Sequence, residues 1–585
     1  MTESGQLTRR QRWIVAVLTV AIAATRIYAL SRSLWDWDEA LFSVGVRSYD
    51  VVQHHPHPPG FPLFIAAAKL FHLVIHDEFR AVQAVTLLGA IGLFPALFAL
   101  ARALRFPFAE AAGGAAIYAF FPAVWIFGGT AFSDVPSTTL VLLACAFLLR
   151  GAHDRRAYIA GAILLGISAG FRSQNLLIGC APALYATWSR IRARAWGEIA
   201  AAIVLGAAIV AVSYAGAAYA SSDPPRGYLA SMATLRAYVR HVDSFMNPGR
   251  PSLRALIPDY FVHPIRGGRF DYVILAFAAL GFAATLRRFG TLMALAMFLP
   301  FQLFAWLMLD PLSVSRYGTA YLPLYALLAA AGAHAIAFFW IDVAIMVAIV
   351  ARLFVWTLPA VREVRAHESP PAAAMGEIVR RHPTQSVFVH MSMSPFADDF
   401  LASTPTTVIL KENELPFEPH DALYVCECVR PGHLYDRPRC ALWNIVRRRY
   451  FDVTLTTLGQ VWRFRDGWHD EEGEGNIVFR WMKARSVALL PAVGPRARLT
   501  LVFGIPSELV AAAPTLTVAL NGRVIDRVRC TTETMAKKWD VDANANAPNE
   551  LVLAIDRVVN PLRQHLGGDA RDLGLRLDRY EWRAR

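Results

Sequence analysis

Residues 13–40 read WIVAVLTVAIAATRIYALSRSLWDWDEA, an apolar run that ends in tryptophans and carboxylates. The apolar part approaches the ~20 residues that an α-helix needs to cross the hydrocarbon core of a bilayer. It lacks a small-residue cleavage site, so we expect a retained membrane helix instead of a cleaved signal peptide. The indoles that follow suit the interface between lipid and water. The stretch therefore predicts a membrane protein with acidic side chains just outside its first span.

Similar apolar runs recur along the chain up to Leu358. Hydrophobic residues make up 55% of the 585 residues and charged residues only 18%, below the roughly 25% typical of soluble domains. The mean hydropathy is +0.37. The candidate spans are residues 13–30, 81–101, 109–127, 134–150, 157–171, 173–188, 198–220, 271–286, 290–309, 317–336 and 340–358. We expect a polytopic α-helical membrane protein of about eleven transmembrane helices.

The loops between these spans alternate in charge. Arginine concentrates in every second loop, at residues 9–12, 102–105, 150–156, 190–194 and 287–288. The positive-inside rule then places the N-terminus in the cytoplasm and loops 31–80 and 221–270 outside. With an odd number of spans, everything after Leu358 also lies outside. This topology indicates a protein of a bacterial inner (plasma) membrane with an extracytoplasmic C-terminal part.

The net charge of +13 belongs mostly to the membrane half. Residues before 359 carry about 28 Lys and Arg against about 17 Asp and Glu, and the remainder nearly balances. This distribution favours anionic lipid over nucleic acid as a partner. Loop 221–270 interleaves arginine with aromatic residues, so it could bind phospholipid, a phosphate or a saccharide; the alternative is a solvated loop. Its arginines are Arg226, Arg236, Arg240, Arg250, Arg254, Arg266 and Arg269.

The chain after the last span divides into two predicted domains beside the membrane domain at 1–358. Residues 359–465 predict a small α/β module, and residues 466–585 a β-sandwich of jelly-roll type. Asn521-Gly522 predicts a hairpin turn within the sandwich. The sandwich could bind carbohydrate through stacking tryptophans, although core positions explain tryptophans equally well. The candidates are Trp462, Trp468, Trp481 and Trp582.

Six scattered cysteines do not define a disulfide framework. In an oxidising compartment, a bridge from Cys426 or Cys428 to Cys440 is one option, and a zinc site is a weaker alternative. The sequence defines no cofactor site, and it leaves open whether the protein needs a divalent metal ion. We find no Gly-rich nucleotide-binding loop.

The first outward loop concentrates chemically useful side chains. Asp36, Asp38 and Glu39 lie beside two indoles, where a carboxylate could act as general base at the membrane surface; the alternative is an aromatic anchor with incidental acids. Asp38 and Glu39 are adjacent, so on a helix they point about 100° apart and do not form a dyad.

Farther along this loop, residues 54–60 read HHPHPPG, a proline-stiffened turn before an apolar, interfacial helix that runs to about residue 75. Histidine there could contact a phosphate. A metal cluster of His54, His55 and His57 and a purely structural turn are the alternatives.

Over about residues 1–360, the chain resembles the membrane glycosyltransferases of the GT-C fold, in the superfamily of protein O-mannosyltransferases and lipid A aminoarabinose transferases. The similarity rests on five motifs in a common order. They are Asp38-Glu39, His57-Pro58-Pro59, the FSDVP turn at 132–136, the small-residue helix that ends in Arg172, and Ser315-Arg316-Tyr317 with Leu322-Pro323.

The resemblance implies inverting transfer of a sugar from a polyprenyl-phosphate donor to an acceptor hydroxyl on lipid, protein or polysaccharide. By the same resemblance, Asp38 would be the catalytic base and Glu39 would position donor or acceptor. The phosphate-binding residues would be His57, Arg316, Tyr317 and Arg172, and the cavity would include Asp36, Asp134 and His55. The structural alternatives are a helix cap for Asp134 and an ion pair for Arg172.

Two other functions compete with this hypothesis. A transporter or flippase of lipid-linked sugars would also need many helices, but no inverted hydropathy repeat is evident and the ionisable residues cluster in loops. A non-catalytic membrane protein that displays a carbohydrate-binding module would leave the acidic loop without a purpose.

Overall fold

The computed structural model describes residues 7–336, 340–410, 414–415, 421–428, 432–435, 452–474 and 477–585. The chain forms two compact units, one of residues 1–372 with 438–449 and one of residues 373–437 with 450–585.

Helices account for most of the first unit. In chain order they are α1 (Arg9–Tyr28), α2 (Trp37–Arg47), α3 (Pro62–Ile75), α4 (Glu78–Ala103), α5 (Phe108–Ala119), α6 (Pro122–Phe127), α7 (Asp134–Gly151), α8 (Arg155–Phe171), α9 (Leu176–Arg192), α10 (Trp196–Ala220), α11 (Arg226–Tyr238), α12 (Leu253–Ile257), α13 (Asp271–Thr285), α14 (Phe289–Met308), α15 (Val314–Ile336) and α16 (Ile341–Ala366). Each of the eleven predicted spans is helical. Seven of the described helices are long and apolar enough to cross a membrane by length and composition. The predicted class, a polytopic α-helical membrane protein, is thus confirmed, and the number of membrane-spanning helices is approximate.

The third predicted span is divided. Residues 109–127 contain α5 and α6, which are separated at Phe120 and Phe121. Pro122 begins α6, where its missing N–H is harmless, and it disfavours helical backbone at the preceding residue. The proline therefore explains why the expected single span is two helices.

Burial separates interior helices from those at the edge of the first unit. α7 and α15 are apolar on most sides and mostly buried, whereas α10 buries few residues, as expected of a helix that faces lipid. Small residues allow α13 and α15 to approach closely. A Cβ atom added at Gly332 would lie 1.9 Å from the carbonyl oxygen of Phe277, so only glycine fits there.

Two short helices follow α1. Asp36 accepts a hydrogen bond from the amide of Asp38 at 3.0 Å and caps the N-terminus of α2. The apolar helix α3 has 14 residues, too few to span a bilayer. It begins after the HHPHPPG turn, as the sequence predicted.

The second unit begins with an α/β part. α17 (Pro370–Arg381) precedes a sheet with the strand order β2-β1-β3-β5-β4. The strands are β1 (Val387–His390), β2 (Thr406–Ile409), β3 (Leu423–Glu427), β4 (His433–Tyr435) and β5 (Val453–Thr457), with α18 (Ser394–Phe400) after β1. β1 pairs in parallel with β2 and β3, while β5 is antiparallel to β3.

Two five-stranded antiparallel sheets complete the second unit. Their strands are β6 (Arg463–Phe464), β7 (Trp468–Glu474), β8 (Ile477–Met482), β9 (Arg485–Leu490), β10 (Arg496–Gly504), β11 (Thr515–Leu520), β12 (Arg523–Arg529), β13 (Thr534–Asp542), β14 (Asn549–Ile555) and β15 (Arg576–Ala584), with the short helix α19 (Ser507–Val510) after β10. The orders are β13-β10-β15-β8-β7 and β12-β11-β14-β9-β6. Asn521 and Gly522, both at positive φ, join β11 to β12, as the hairpin motif predicted.

The tryptophans of the sandwich are mainly structural. Trp462 and Trp582 belong to its core, and the Trp582 indole N–H donates to the Pro491 carbonyl at 2.8 Å. Trp468 and Trp481 are half-buried. Among the cysteines, Cys426 and Cys428 are joined to each other, and Cys440 lies outside the described residues.

Candidate active site

The site centres on Asp38, in the first turn of α2. Its Oδ2 atom accepts a hydrogen bond from Nη1 of Arg316, a residue in the first turn of α15. Its Oδ1 atom lies 3.6 Å from Nδ1 of His57, in the proline-rich turn. The ends of two helices and one turn thus meet at a single carboxylate.

A second carboxylate continues the arrangement. Asp134, in the first turn of α7, forms an ion pair with Arg172, which follows α8. The Asp134 Oδ2 atom also lies 3.8 Å from Nε of Arg316. The order Asp38, Arg316, Asp134, Arg172 therefore alternates negative and positive charge, and the two carboxylates are balanced by the two guanidinium groups.

The two carboxylates differ in access. The Asp38 side chain is 21% exposed and that of His57 is 25% exposed, whereas the Asp134 side chain is 1% exposed. Asp38 and His57 therefore retain some access from solvent. Asp134 lies behind them and supports the two arginines.

Aromatic rings cover the guanidinium groups. The Arg172 guanidinium lies 5.6 Å from the Phe61 ring and 6.0 Å from the Tyr317 ring, and that of Arg316 lies 5.1 Å from the Phe132 ring. Arg316 also donates to the Tyr317 hydroxyl at 3.4 Å. These rings favour the cations electrostatically and keep water from them. Sequence reasoning missed the roles of Phe61, which directly follows the HHPHPPG turn, and of Phe132, which belongs to the FSDVP turn.

The charges of the site set the protonation states. Burial alone would raise the pKa of Asp38, but the neighbouring Arg316 and His57 outweigh it and hold that pKa well below its usual range. Burial lowers the pKa of His57, so its imidazole is neutral at neutral pH. Asp38 is thus ionised at neutral pH and shares an arginine with Asp134.

Glu39 faces another direction from Asp38, as their helical positions predicted. It is fully buried, and its two oxygens accept the backbone N–H groups of Trp35 at 2.6 Å and of Ala131 at 2.8 Å. Burial raises the pKa of Glu39 to about 7. This carboxyl joins the segment before α2 to the loop before α7.

Two further predicted cavity residues have backbone roles. Asp36 caps α2 as described, and His55 pairs its backbone with Asp50 through hydrogen bonds of 2.8 Å and 2.7 Å. Asp50 in turn accepts hydrogen bonds from Ser222, after α10. The structure therefore brings together Asp38, His57, Asp134, Arg172, Arg316 and Tyr317, and it places Glu39, Asp36 and His55 in the surrounding framework.

A small cavity of about 10 Å³ lies beside the Asp134–Arg172 pair, which is about the space of one water molecule. Asn175 lines it and donates to the Ser168 hydroxyl at 2.8 Å and to the Ser137 carbonyl at 3.1 Å. Sequence reasoning missed Asn175. The sequence signal for this residue was the short polar run, residues 173–175, that separates two apolar spans.

The arginines of loop 221–270 divide into two groups. Arg250 is buried and donates to the carbonyls of Trp306, Leu307 and Leu309, while Arg266 is buried and pairs with Asp259 at 3.4 Å. The exposed ones are Arg226, Arg236, Arg240, Arg254 and Arg269. Across the part of the chain that the structure describes, no three His, Cys, Asp or Glu side chains are grouped as metal ligands.

The architecture and the site define the class of protein: a polytopic membrane protein of the GT-C fold. The crystal structure of ArnT from Cupriavidus metallidurans bound to undecaprenyl phosphate is similar, with a TM-score of 0.50 and 14% identity over 75% of this chain and 97% of that one. The apo form of ArnT from the same organism is similar with a TM-score of 0.45 and 12% identity, over 77% of this chain and 99% of that one. The Archaeoglobus fulgidus oligosaccharyltransferase in its apo form has a TM-score of 0.44 and 9% identity, over 98% of this chain and 96% of that one.

The sequence adds a family match over part of the chain. Residues 54–215 match the family described as Dolichyl-phosphate-mannose-protein mannosyltransferase. No curated protein sequence matches the chain. The recognition of the GT-C fold from sequence motifs is confirmed, and the matched part of the chain is similar to a family of membrane glycosyltransferases.

Proposed function

We propose that this protein transfers a sugar from a polyprenyl-phosphate donor to an acceptor hydroxyl at the extracytoplasmic face of a bacterial inner membrane. Residues 1–358 would form the catalytic domain. The observation that carries the proposal is the contact of Asp38 with Arg316 and His57 where α2 and α15 begin. It joins an accessible carboxylate to cationic and hydrogen-bonding groups, the combination that this transfer requires.

The donor already carries a good leaving group, so the protein supplies two functions. Asp38 accepts the proton of the acceptor hydroxyl while the acceptor oxygen forms its bond to the anomeric carbon. The bond from that carbon to the phosphate oxygen breaks, and polyprenyl phosphate leaves with the electron pair. Arg316, His57 and Tyr317 stabilise the charge that develops on the phosphate, with Arg172 beside them. Attack from the side opposite the phosphate inverts the anomeric configuration.

The ion pairs supply an order of events. Before donor binds, Arg316 neutralises Asp38 and makes it a weak base. A donor phosphate competes for the same guanidinium, which draws positive charge away from Asp38 and raises its pKa toward the ordinary value. Asp38 thus becomes a stronger base only when the leaving group is in place, which limits idle proton transfer.

In this proposal Glu39 positions other catalytic residues and does not react itself. Both of its oxygens accept backbone amides, so it fixes the loops that carry Asp38 and Asp134. Asp36 and His55 act likewise through the α2 cap and the hairpin with Asp50. None of the three contacts the reacting atoms.

The donor class follows from the membrane setting and from one neighbour. An isoprenoid donor stays in the bilayer, so its phosphate must meet ionisable groups at the ends of membrane helices. The similar ArnT structure binds undecaprenyl phosphate, which supports a lipid phosphate as the donor headgroup. Lipid, protein and polysaccharide hydroxyls are all chemically suitable acceptors.

The direct test is turnover. Protein purified into lipid nanodiscs is incubated with labelled polyprenyl-phosphate mannose, glucose, arabinose and aminoarabinose, each with envelope lipid, glycan and protein fractions as acceptors. We expect consumption of one donor and label in one fraction, and loss of both in Arg316→Ala but not in Arg254→Ala. Transport of donor across liposomes without any transfer product would overturn the proposal in favour of a flippase.

A further inference from the structure

A second cleft, within the second unit, lies outside the site above. It has a volume of about 620 Å³ and separates the α/β part from the sandwich within that unit. This volume is in the range of small-molecule sites, roughly 300–1,000 Å³. Its polar walls come from α17, β4 and β5, and its apolar floor includes the buried indoles of Trp462 and Trp582.

One wall is built from connected side chains. Glu377 of α17 accepts a hydrogen bond from the Tyr435 hydroxyl at 2.5 Å, and the Tyr435 ring lies 4.5 Å from that of His433. Arg381 pairs with the other Glu377 oxygen at 3.2 Å. The carboxylate charge is therefore already balanced within the protein, and the position of His433 is set by its neighbour.

The remaining polar groups are imidazole and hydroxyl side chains. His382, Thr456 and Thr457 complete the polar lining, and Leu423, Leu455 and Pro491 are among the apolar residues. A wall of hydroxyls, imidazoles and a carboxylate that is already paired with Arg381 offers many hydrogen-bonding groups. It matches a neutral polyol, whose hydroxyls need hydrogen bonds and whose C–H faces need an apolar floor.

We propose that this cleft binds a neutral oligosaccharide of two or three residues. The inference deepens the proposed function, because a saccharide held by this unit would be the acceptor or the product of transfer. The saccharide would bind in the cleft between the α/β part and the sandwich. Trp462 and Trp582 would form the apolar floor of this cleft and would not be exposed rings on which a sugar stacks. His433 and Thr457 supply the hydrogen bonds that select hydroxyl groups.

Binding is measured without transfer, so the two proposals can fail separately. Full-length protein in nanodiscs is titrated calorimetrically with α-1,6-mannotriose, α-1,5-arabinotriose and maltotriose, with inorganic phosphate as competitor. We expect at least one trisaccharide to bind, His433→Ala and Thr457→Val each to weaken it by about tenfold or more, and phosphate not to compete. The matched controls His565→Ala and Thr532→Val alter exposed residues of the same unit and should bind normally.

The Asp38→Asn variant should bind the trisaccharide as tightly as the parent protein, because binding does not depend on the catalytic base. Thermal unfolding of each variant confirms that the second unit stays folded. The proposal is overturned if no trisaccharide binds, if binding survives both cleft substitutions unchanged, or if phosphate displaces the sugar.

Discussion

Replacing Arg316 with methionine removes the cation that contacts Asp38 and keeps an unbranched side chain. Asp38 must be ionised to accept a proton, and its pKa is now held low by Arg316 and His57. Loss of an adjacent arginine raises the pKa of an aspartate by about 1–3 units. Two unit charges 4 Å apart interact by about 4 kcal/mol at an effective dielectric constant of 20. Since one pKa unit corresponds to about 1.4 kcal/mol, this interaction energy agrees with the upper end of that range.

The assay is the pH profile of kcat/KM, whose acid limb reports groups of the free enzyme. In the parent protein Asp38 stays ionised to low pH, so activity extends there. In Arg316→Met the acid limb should move to higher pH by about 1–3 units, in addition to a fall in activity at every pH from weaker phosphate binding. Arg316→Lys keeps the charge and should leave the limb near its original position. An unmoved limb in Arg316→Met, at measurable activity, would refute the coupling of Asp38 to Arg316.

Three further changes test other parts of the account. His57→Gln should raise KM for the donor more than it lowers kcat, since the proposed mechanism has this imidazole bind the donor phosphate; an unchanged KM in steady-state assays would contradict this role. Glu39→Gln should lower stability by about 1–3 kcal/mol, because one of two backbone N–H groups loses its acceptor, and thermal unfolding in nanodiscs measures it. The folded pKa of Glu39 is raised from 4.5 to about 7, so its stabilising contribution is complete below about pH 4.5 and is lost as pH rises through 7. That pH dependence should vanish in the variant, and its persistence would assign it to another group. Gly332→Leu should reduce the yield of folded protein, because its Cβ would meet the Phe277 carbonyl; normal unfolding temperatures would refute the close packing of α13 and α15.

The spans were predictable because the signal is local. Runs near 20 apolar residues report directly on a bilayer, and all eleven runs are helical. The break between α5 and α6 was also local, but it consists of the apolar residues Phe120 and Phe121, which hid the effect of Pro122 on hydropathy alone. Hydropathy identifies membrane segments and gives no account of how continuous each helix is.

The site was predictable only in part. Helical geometry foretold that Asp38 and Glu39 diverge, and the resemblance grouped Asp38 with Arg316, although 278 residues separate them. The partners of Glu39 could not be foreseen, since Ala131 lies 92 residues away and binds through its backbone. Backbone partners leave no mark in side-chain motifs, so a buried framework carboxylate and a catalytic one look alike in sequence.

The central claim is that Asp38 is the base of sugar transfer. The most direct measurement compares donor binding and transfer in the parent protein and in Asp38→Asn, with the labelled donor that the parent protein turns over. We expect transfer to fall by about 10²–10⁴-fold or more, as for the loss of a general base, while donor binding and membrane insertion persist. Transfer at the parental rate by Asp38→Asn would contradict the mechanism.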